Sequence, residues 1–122
     1  RALDPALKIR IDGDGLQTRD INPFENVVKA IELVAGNEKC YNQTFNVGSG
    51  RETSIKGLAK MVLALTNRDW DEGILWAESR PGEEGRLALD STKLRAFTGW
   101  QPEAQLHTLL PLMADYYKAG GR

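Results

Sequence analysis

The sequence predicts an α/β fold in which short strands alternate with helices. Three observations carry that expectation. Leu7, Ile9 and Ile11 alternate with Lys8, Arg10 and Asp12, the period of two expected of a half-buried strand. Phe24, Val27, Val28, Ile31 and Val34 or Ala35 recur at helical spacing. Between such runs stand clusters of Gly, Asn, Asp and Pro, which end elements and begin turns.

Taken in order, the first strand closes in the turn signal Asp12-Gly13-Asp14-Gly15. The first helix ends at Gly36-Asn37, a C-terminal signal. Thr44-Phe45-Asn46-Val47 reads as a second strand, punctuated by Gly48-Ser49-Gly50. Thr53 or Ser54 then caps a second helix that carries Ile55, Leu58, Met61, Val62 and Leu65 on one face. Gly73–Ala77 is a third strand, and residues 80–85 form a polar loop. Asp90 is the expected N-cap of a short helix running to about Phe97, with Gly99-Trp100-Gln101-Pro102 after it. Leu106, Leu109, Leu110, Met113 and Tyr117 mark a last amphipathic helix, in which Pro111 sits in the first turn or makes a kink. That is about four helices, with residues 12–23 and 78–90 left as the long loops.

The 122 residues are expected to make a single domain, 1–122, or a piece of one, too short for a catalytic domain plus a cofactor domain. With 41% hydrophobic and 27% charged residues, the chain has the composition of a folded protein rather than a disordered one. Sixteen Lys and Arg against 17 Asp and Glu leave no basic excess, so general nucleic-acid binding is not expected. No run of about 18 apolar residues is present, so no membrane span is expected. One cysteine, Cys40, and one histidine, His107, give neither a disulfide nor a metal cluster. The chain starts at Arg1 with no signal-peptide pattern after it, and a cytoplasmic setting is expected.

No self-contained catalytic site is legible. Gly13-Asp14-Gly15 is followed by Thr18, and Gly48-Ser49-Gly50 by Thr53, where a dinucleotide fingerprint needs a third glycine. Three loops remain of interest. One carries Arg19, one brings small residues to a helix N-terminus, and one carries Arg80 beside Pro81. Two loop arginines and a helix N-terminus suit a diphosphate, because guanidinium forks match phosphate oxygens. The same residues also serve purely structural ends. The Gly48-Ser49-Gly50 turn, Arg51, the Asp90 cap, Lys93, Trp70, Trp76, Trp100, Cys40 (partly buried) and His107 are read as structural or surface residues.

The strings Gly13-Asp14-Gly15…Arg19-Asp20, Phe45-Asn46-Val47-Gly48-Ser49-Gly50-Arg51…Thr53-Ser54-Ile55, Arg80-Pro81-Gly82-Glu83, Asp90…Lys93 and Gly99-Trp100…Pro102 occur in that order. In this the chain resembles the C-terminal part of the NAD-dependent epimerase/dehydratase family, extended short-chain dehydrogenases such as UDP-glucose 4-epimerase. The resemblance runs from about Leu7 to Tyr117. It implies the small substrate-binding lobe of that fold, without the main Rossmann domain. NAD and the Tyr-x-x-x-Lys catalytic pair belong to that other domain, so no cofactor and no catalytic residue are expected here. Tyr116 is followed four residues on by Gly120, and Tyr117 by Gly121.

The ligand implied is a nucleoside-diphosphate sugar. Arg19 and Arg80 match the family's diphosphate contacts, and Glu83 matches an acid near the nucleoside. An exposed apolar face would receive a Rossmann partner domain or a second copy. The chain departs from the family pattern at Ile21, where an aromatic is usual, and at Asn26, where Asp is usual. Pro23 removes a backbone donor from a stretch expected to be extended. Two functions follow: the nucleotide-sugar-binding lobe of an epimerase or dehydratase, not catalytic alone, or a stand-alone binding or protein-interaction module derived from it.

Overall fold

A computed structural model describes residues 2–121. Five strands and five helices follow one another as β1 (Ile9–Asp12), β2 (Thr18–Asp20), α1 (Phe24–Ala35), β3 (Glu52–Ser54), α2 (Ile55–Leu65), α3 (Trp70–Gly73), β4 (Ile74–Ala77), β5 (Arg86–Leu87), α4 (Thr92–Thr98) and α5 (Leu106–Lys118), with a 3-10 turn at Glu38–Cys40. The strands make two small sheets. β1 and β4 pair in parallel, with Ile9 opposite Ile74 and Asp12 opposite Ala77. β2 is the centre of the other sheet, antiparallel to β3 and parallel to β5.

The hydrophobic interior is divided. Ile11 and Ile74 from the parallel pair bury against Ala59 and Leu63 of α2, with Ile9, Ile55 and Trp70 around them. Ala30 of α1, Leu94 of α4 and Trp100 form the second cluster, joined by Leu33, Val34, Phe45 and Val47. Burying a side chain of Leu94's size contributes roughly 2 kcal/mol. The polar end of Trp100 is satisfied too, its Nε1 donating to the Asn26 carbonyl at 2.9 Å.

The α/β expectation holds, and several details differ. Residues 44–47 form no ladder. Two of their carbonyls are taken by side chains: Lys93 Nζ donates to the Thr44 carbonyl (3.1 Å) and Asn22 Nδ2 to the Val47 carbonyl (3.4 Å). Phe45 meets the Phe97 ring edge-on at 5.3 Å. The segment expected as a loop between 12 and 23 holds β2, which gains partners on both edges. Likewise β5 lies inside the expected 78–90 loop. Ser91, not Asp90, occupies the α4 N-cap position, but its hydroxyl is committed to Gly48 and makes no capping bond, and Asp90 Oδ1 takes the Thr92 N–H at 2.8 Å. Ser54 caps α2, accepting from the Gly57 N–H. Pro111 lies inside α5. Cys40 is fully rather than partly buried. Trp100 is buried as expected, and His107 is exposed.

Only part of the apolar stripe of α1 faces the interior, where Val34 packs on the second cluster. Asn26 and Ala30 point inward, while Phe24, Val28 and Ile31 stand 65%, 47% and 62% exposed. A second open apolar feature, a groove of about 650 Å³, lies between α2 and α5 and is lined by Leu58, Val62, Leu110, Met113 and Tyr117 among others.

Candidate functional site

The site grows from the end of β1. Asp12 follows the alternation of its strand only in part, since it is buried rather than solvent-facing. Its carboxylate lies between two guanidiniums: Arg10 Nε donates to Oδ1 at 2.6 Å and Arg80 Nε to Oδ2 at 2.5 Å. The Arg10 hydrogen bond, with that of Arg80, holds the Asp12 carboxyl below its ordinary value against the opposing effect of burial. Asp12 therefore stays charged and fixes both arginines.

The chain then turns through Gly13 and Gly15, both at positive φ. A Cβ at Gly15 would come within 3.1 Å of both Ile11 Cγ2 and Lys56 Cβ. Only glycine meets both demands without cost. The turn is pinned to the start of α2, with Lys56 N–H donating to the Gly15 carbonyl (2.8 Å) and Ile55 N–H to the Gln17 carbonyl (3.0 Å). The Gln17 side chain reaches back, giving Nε2 to the Asp12 carbonyl at 2.9 Å and to Glu83 Oε2 at 3.5 Å.

Arg19, in the middle of β2, is engaged on several sides. One terminal nitrogen donates to the Thr18 carbonyl (2.7 Å) and to the Glu84 carbonyl (2.8 Å), and the other pairs with Glu83 Oε1 at 3.1 Å. Both side chains of that pair are about a quarter exposed. Arg80 is the open one: it is anchored on Asp12 yet its side chain is 71% exposed. The structure thus brings Arg19 and Glu83 into direct contact and ties Arg80 to them through Asp12 and Gln17.

Asp20 explains why an Arg-Asp pair precedes a Gly-Ser-Gly turn by some thirty residues. Its Oδ1 accepts from the Ser49 N–H (3.1 Å) and hydroxyl (2.5 Å), and its Oδ2 from the Gly50 N–H (2.9 Å) and, at 3.4 Å, the Leu89 N–H. Gly48 packs so closely that a Cβ there would stand 2.6 Å from Asp20 Oδ2 and 2.5 Å from Leu89 Cβ. Ser91 closes the far side, its Oγ accepting from the Gly48 N–H and donating to the Gly48 carbonyl. Beside β2, Glu52 accepts from Thr18 Oγ1 (2.6 Å) and from Arg86 through two nitrogens, and Arg86 foremost lowers its pKa to about 2.

The departures at 23 and 26 take on a structural meaning. Pro23 stands at the N-cap of α1 with extended backbone angles, outside β2, and leaves the delivery of Arg19 untouched. Asn26 uses both ends of its amide on residue 104, accepting from its N–H and donating to its carbonyl, each at 2.9 Å.

Residues Asp12, Gln17 and Glu52 were not marked as site residues by the sequence. Asp12 and Gln17 lie inside the glycine turn, and only their contacts distinguish them from ordinary loop residues. Neither glycine turn fits NAD. The Ser49 and Gly50 N–H groups that would cradle a pyrophosphate are occupied by the Asp20 carboxylate, and the Gly13–Gly15 turn leads into a strand rather than a helix. Among the described residues no group of His, Cys, Asp and Glu could hold a metal ion. Arg10, Arg19 and Arg80 are set around the two carboxylates of Asp12 and Glu83.

No family model matches the chain. It is 34% identical over 110 residues to a UDP-glucose 4-epimerase from Mycolicibacterium smegmatis, covering 89% of this chain and 34% of that protein. It is 28% identical over 110 residues to a dTDP-glucose 4,6-dehydratase from Streptomyces griseus, covering 90% of this chain and 33% of that one. Among solved structures, the UDP-glucose 4-epimerase of Thermotoga maritima with UDP-glucose superposes with a TM-score of 0.83 at 30% identity, over 93% of this chain and 35% of that one. The chain spans about a third of the length of the relatives it matches. In sequence and in fold it corresponds to the C-terminal part of the NAD-dependent epimerase/dehydratase family.

Proposed function

We propose that this chain is a nucleotide-sugar-binding lobe of an NAD-dependent epimerase or dehydratase, and that it does no chemistry alone. One observation carries the reading: buried Asp12 holds Arg80 through its Nε and Nη2 while the Arg80 side chain stays 71% exposed. That is the arrangement of a preoriented anion ligand, whose ordering cost is met before the ligand arrives. Arg19 and Glu83 stand in the same hydrogen-bonded group, where a diphosphate and its nucleoside would meet them. The relatives' names supply the ligand class. NAD and the hydride chemistry belong to a Rossmann domain that this chain does not contain, in keeping with two glycine turns that have no place for a dinucleotide.

The exposed Phe24, Val28 and Ile31 stripe gives that partner domain, or a second copy of the lobe, an apolar seat. A cytoplasmic setting goes with the same reading. The stand-alone module loses its main support, since Pro23 and Asn26 both serve the fold without displacing Arg19.

Calorimetric titration with UDP-glucose and dTDP-glucose tests the proposal. Saturable binding that disappears in Arg80→Ala, with the variant still folded by circular dichroism, is the expected result. Binding unchanged in Arg80→Ala removes Arg80 from the site and overturns the proposal.

A further inference from the structure

We propose that the Arg19–Glu83 pair is an internal clasp that competes with the ligand's phosphate, so that Glu83 must let go of Arg19 before Arg19 can serve the diphosphate. The inference rests on the site proposed above and concerns how it is regulated. One terminal nitrogen of Arg19 is spent on the Thr18 and Glu84 carbonyls, and the other carries Glu83 Oε1 at 3.1 Å. A carboxylate and a phosphate seek the same donors on a guanidinium. The Nη1–Nη2 edge that a bidentate phosphate could take therefore already carries acceptors from within the chain.

The segment that brings Glu83 is built to release. Residues 80–85 are all exposed and bury no apolar side chain. Polar ties hold it down: Arg80 to Asp12, Gln17 to Glu83 at 3.5 Å, the Thr18 N–H to the Gly85 carbonyl at 2.9 Å, and Arg19 to Glu84 and Glu83. Arg80 and the Gly85 carbonyl anchor its two ends. The Glu83 contact can then break while the loop stays attached, exchanging one anion on Arg19 for another. Gln17, donating to Oε2, is the group that would keep the freed carboxylate near the site.

The clasp makes a prediction opposite in sign to a simple ligand contact. If Glu83 only touched the nucleoside, its removal would weaken nucleotide binding and leave inorganic pyrophosphate unaffected. As a clasp, its removal strengthens pyrophosphate. Isothermal titration of the chain with inorganic pyrophosphate and with UDP, on wild type, Glu83→Gln and Glu83→Ala, separates the two. A part-exposed ion pair of this kind predicts about two- to fivefold tighter pyrophosphate binding in both variants. The double variant Arg19→Ala/Glu83→Gln should lose that gain. Pyrophosphate affinity unchanged or lowered in Glu83→Gln and Glu83→Ala, with wild type still binding UDP, overturns the clasp and leaves the site standing. No binding of UDP or pyrophosphate by any variant overturns the site itself, and the clasp with it.

Discussion

Asp20 is the residue whose replacement should be felt most widely. All its partners are donors: the Ser49 N–H and hydroxyl, the Gly50 N–H and, more distantly, the Leu89 N–H. Hydrogen bonds to charged groups contribute about 1.5–3 kcal/mol each, and partial exposure brings this toward about 1. Counting the three shorter bonds, Asp20→Ala should cost about 3 kcal/mol. Asp20→Asn is instructive because it is nearly the same shape. It keeps one acceptor and presents an NH2 group to a donor, so the loss should be about 2 kcal/mol rather than nothing. Urea unfolding followed by tryptophan fluorescence measures both, and the midpoint of thermal unfolding should fall by roughly 10 °C in Asp20→Ala. If Asp20→Ala unfolds within about 0.5 kcal/mol of wild type, the carboxylate does not hold the turn, and the account of the Arg-Asp and Gly-Ser-Gly strings given above is wrong.

Three further outcomes are expected. Ser91→Ala leaves the buried Gly48 N–H without its acceptor and should cost about 2 kcal/mol in the same unfolding assay; a neutral change would show that water replaces the hydroxyl. Glu52 is held at about 2 in the fold against 4.5 when free, so its stabilisation is complete above the free value and is lost as pH falls from 4.5 through 2. Carboxyl carbon NMR should show that low midpoint, and Arg86→Ala should raise it; a wild-type midpoint near 4.5 would count against the pairing. Asn26→Asp turns a donor into an acceptor facing the residue-104 carbonyl and should cost about 2 kcal/mol at neutral pH. The new carboxyl's pKa is raised by that surrounding, so the penalty relative to wild type should shrink as pH falls below the folded value and be smallest below about 4. A penalty constant with pH, read from paired unfolding curves, would refute the placement.

The sequence made four of the five helices and the strands β1 and β4 legible, because amphipathic spacing and end signals are local; the four-residue α3 went unmarked. It missed β2, β3 and β5 for a physical reason. Each has two or three residues, and each exists only because a partner from a distant part of the chain lies beside it. It expected a strand at 44–47 because Phe45 and Val47 alternate and are partly buried as in a strand, while no neighbouring strand pairs with them and side chains of Lys93 and Asn22 take two of the carbonyls. At the site, the resemblance placed Arg19, Arg80 and Glu83 in one neighbourhood, and the structure brings them together. What residue strings alone did not convey is that Arg19 and Glu83 are partners of each other, and that buried Asp12 supports Arg80. Such pairings depend on three-dimensional approach across some seventy residues of chain.

The two sheets also bear on how the molecule comes to be folded. Ile9 pairs with Ile74, Thr18 with Ser54 and with Arg86, so every strand pairing among the described residues joins segments more than thirty residues apart. No strand finds its partner through a neighbouring turn. Loop closure must therefore precede any reward from pairing, which slows folding relative to a chain whose contacts are local. During synthesis β1 emerges before β4 and stays unpaired until residue 77 has left the ribosome, and until then its backbone edge is open to intermolecular pairing.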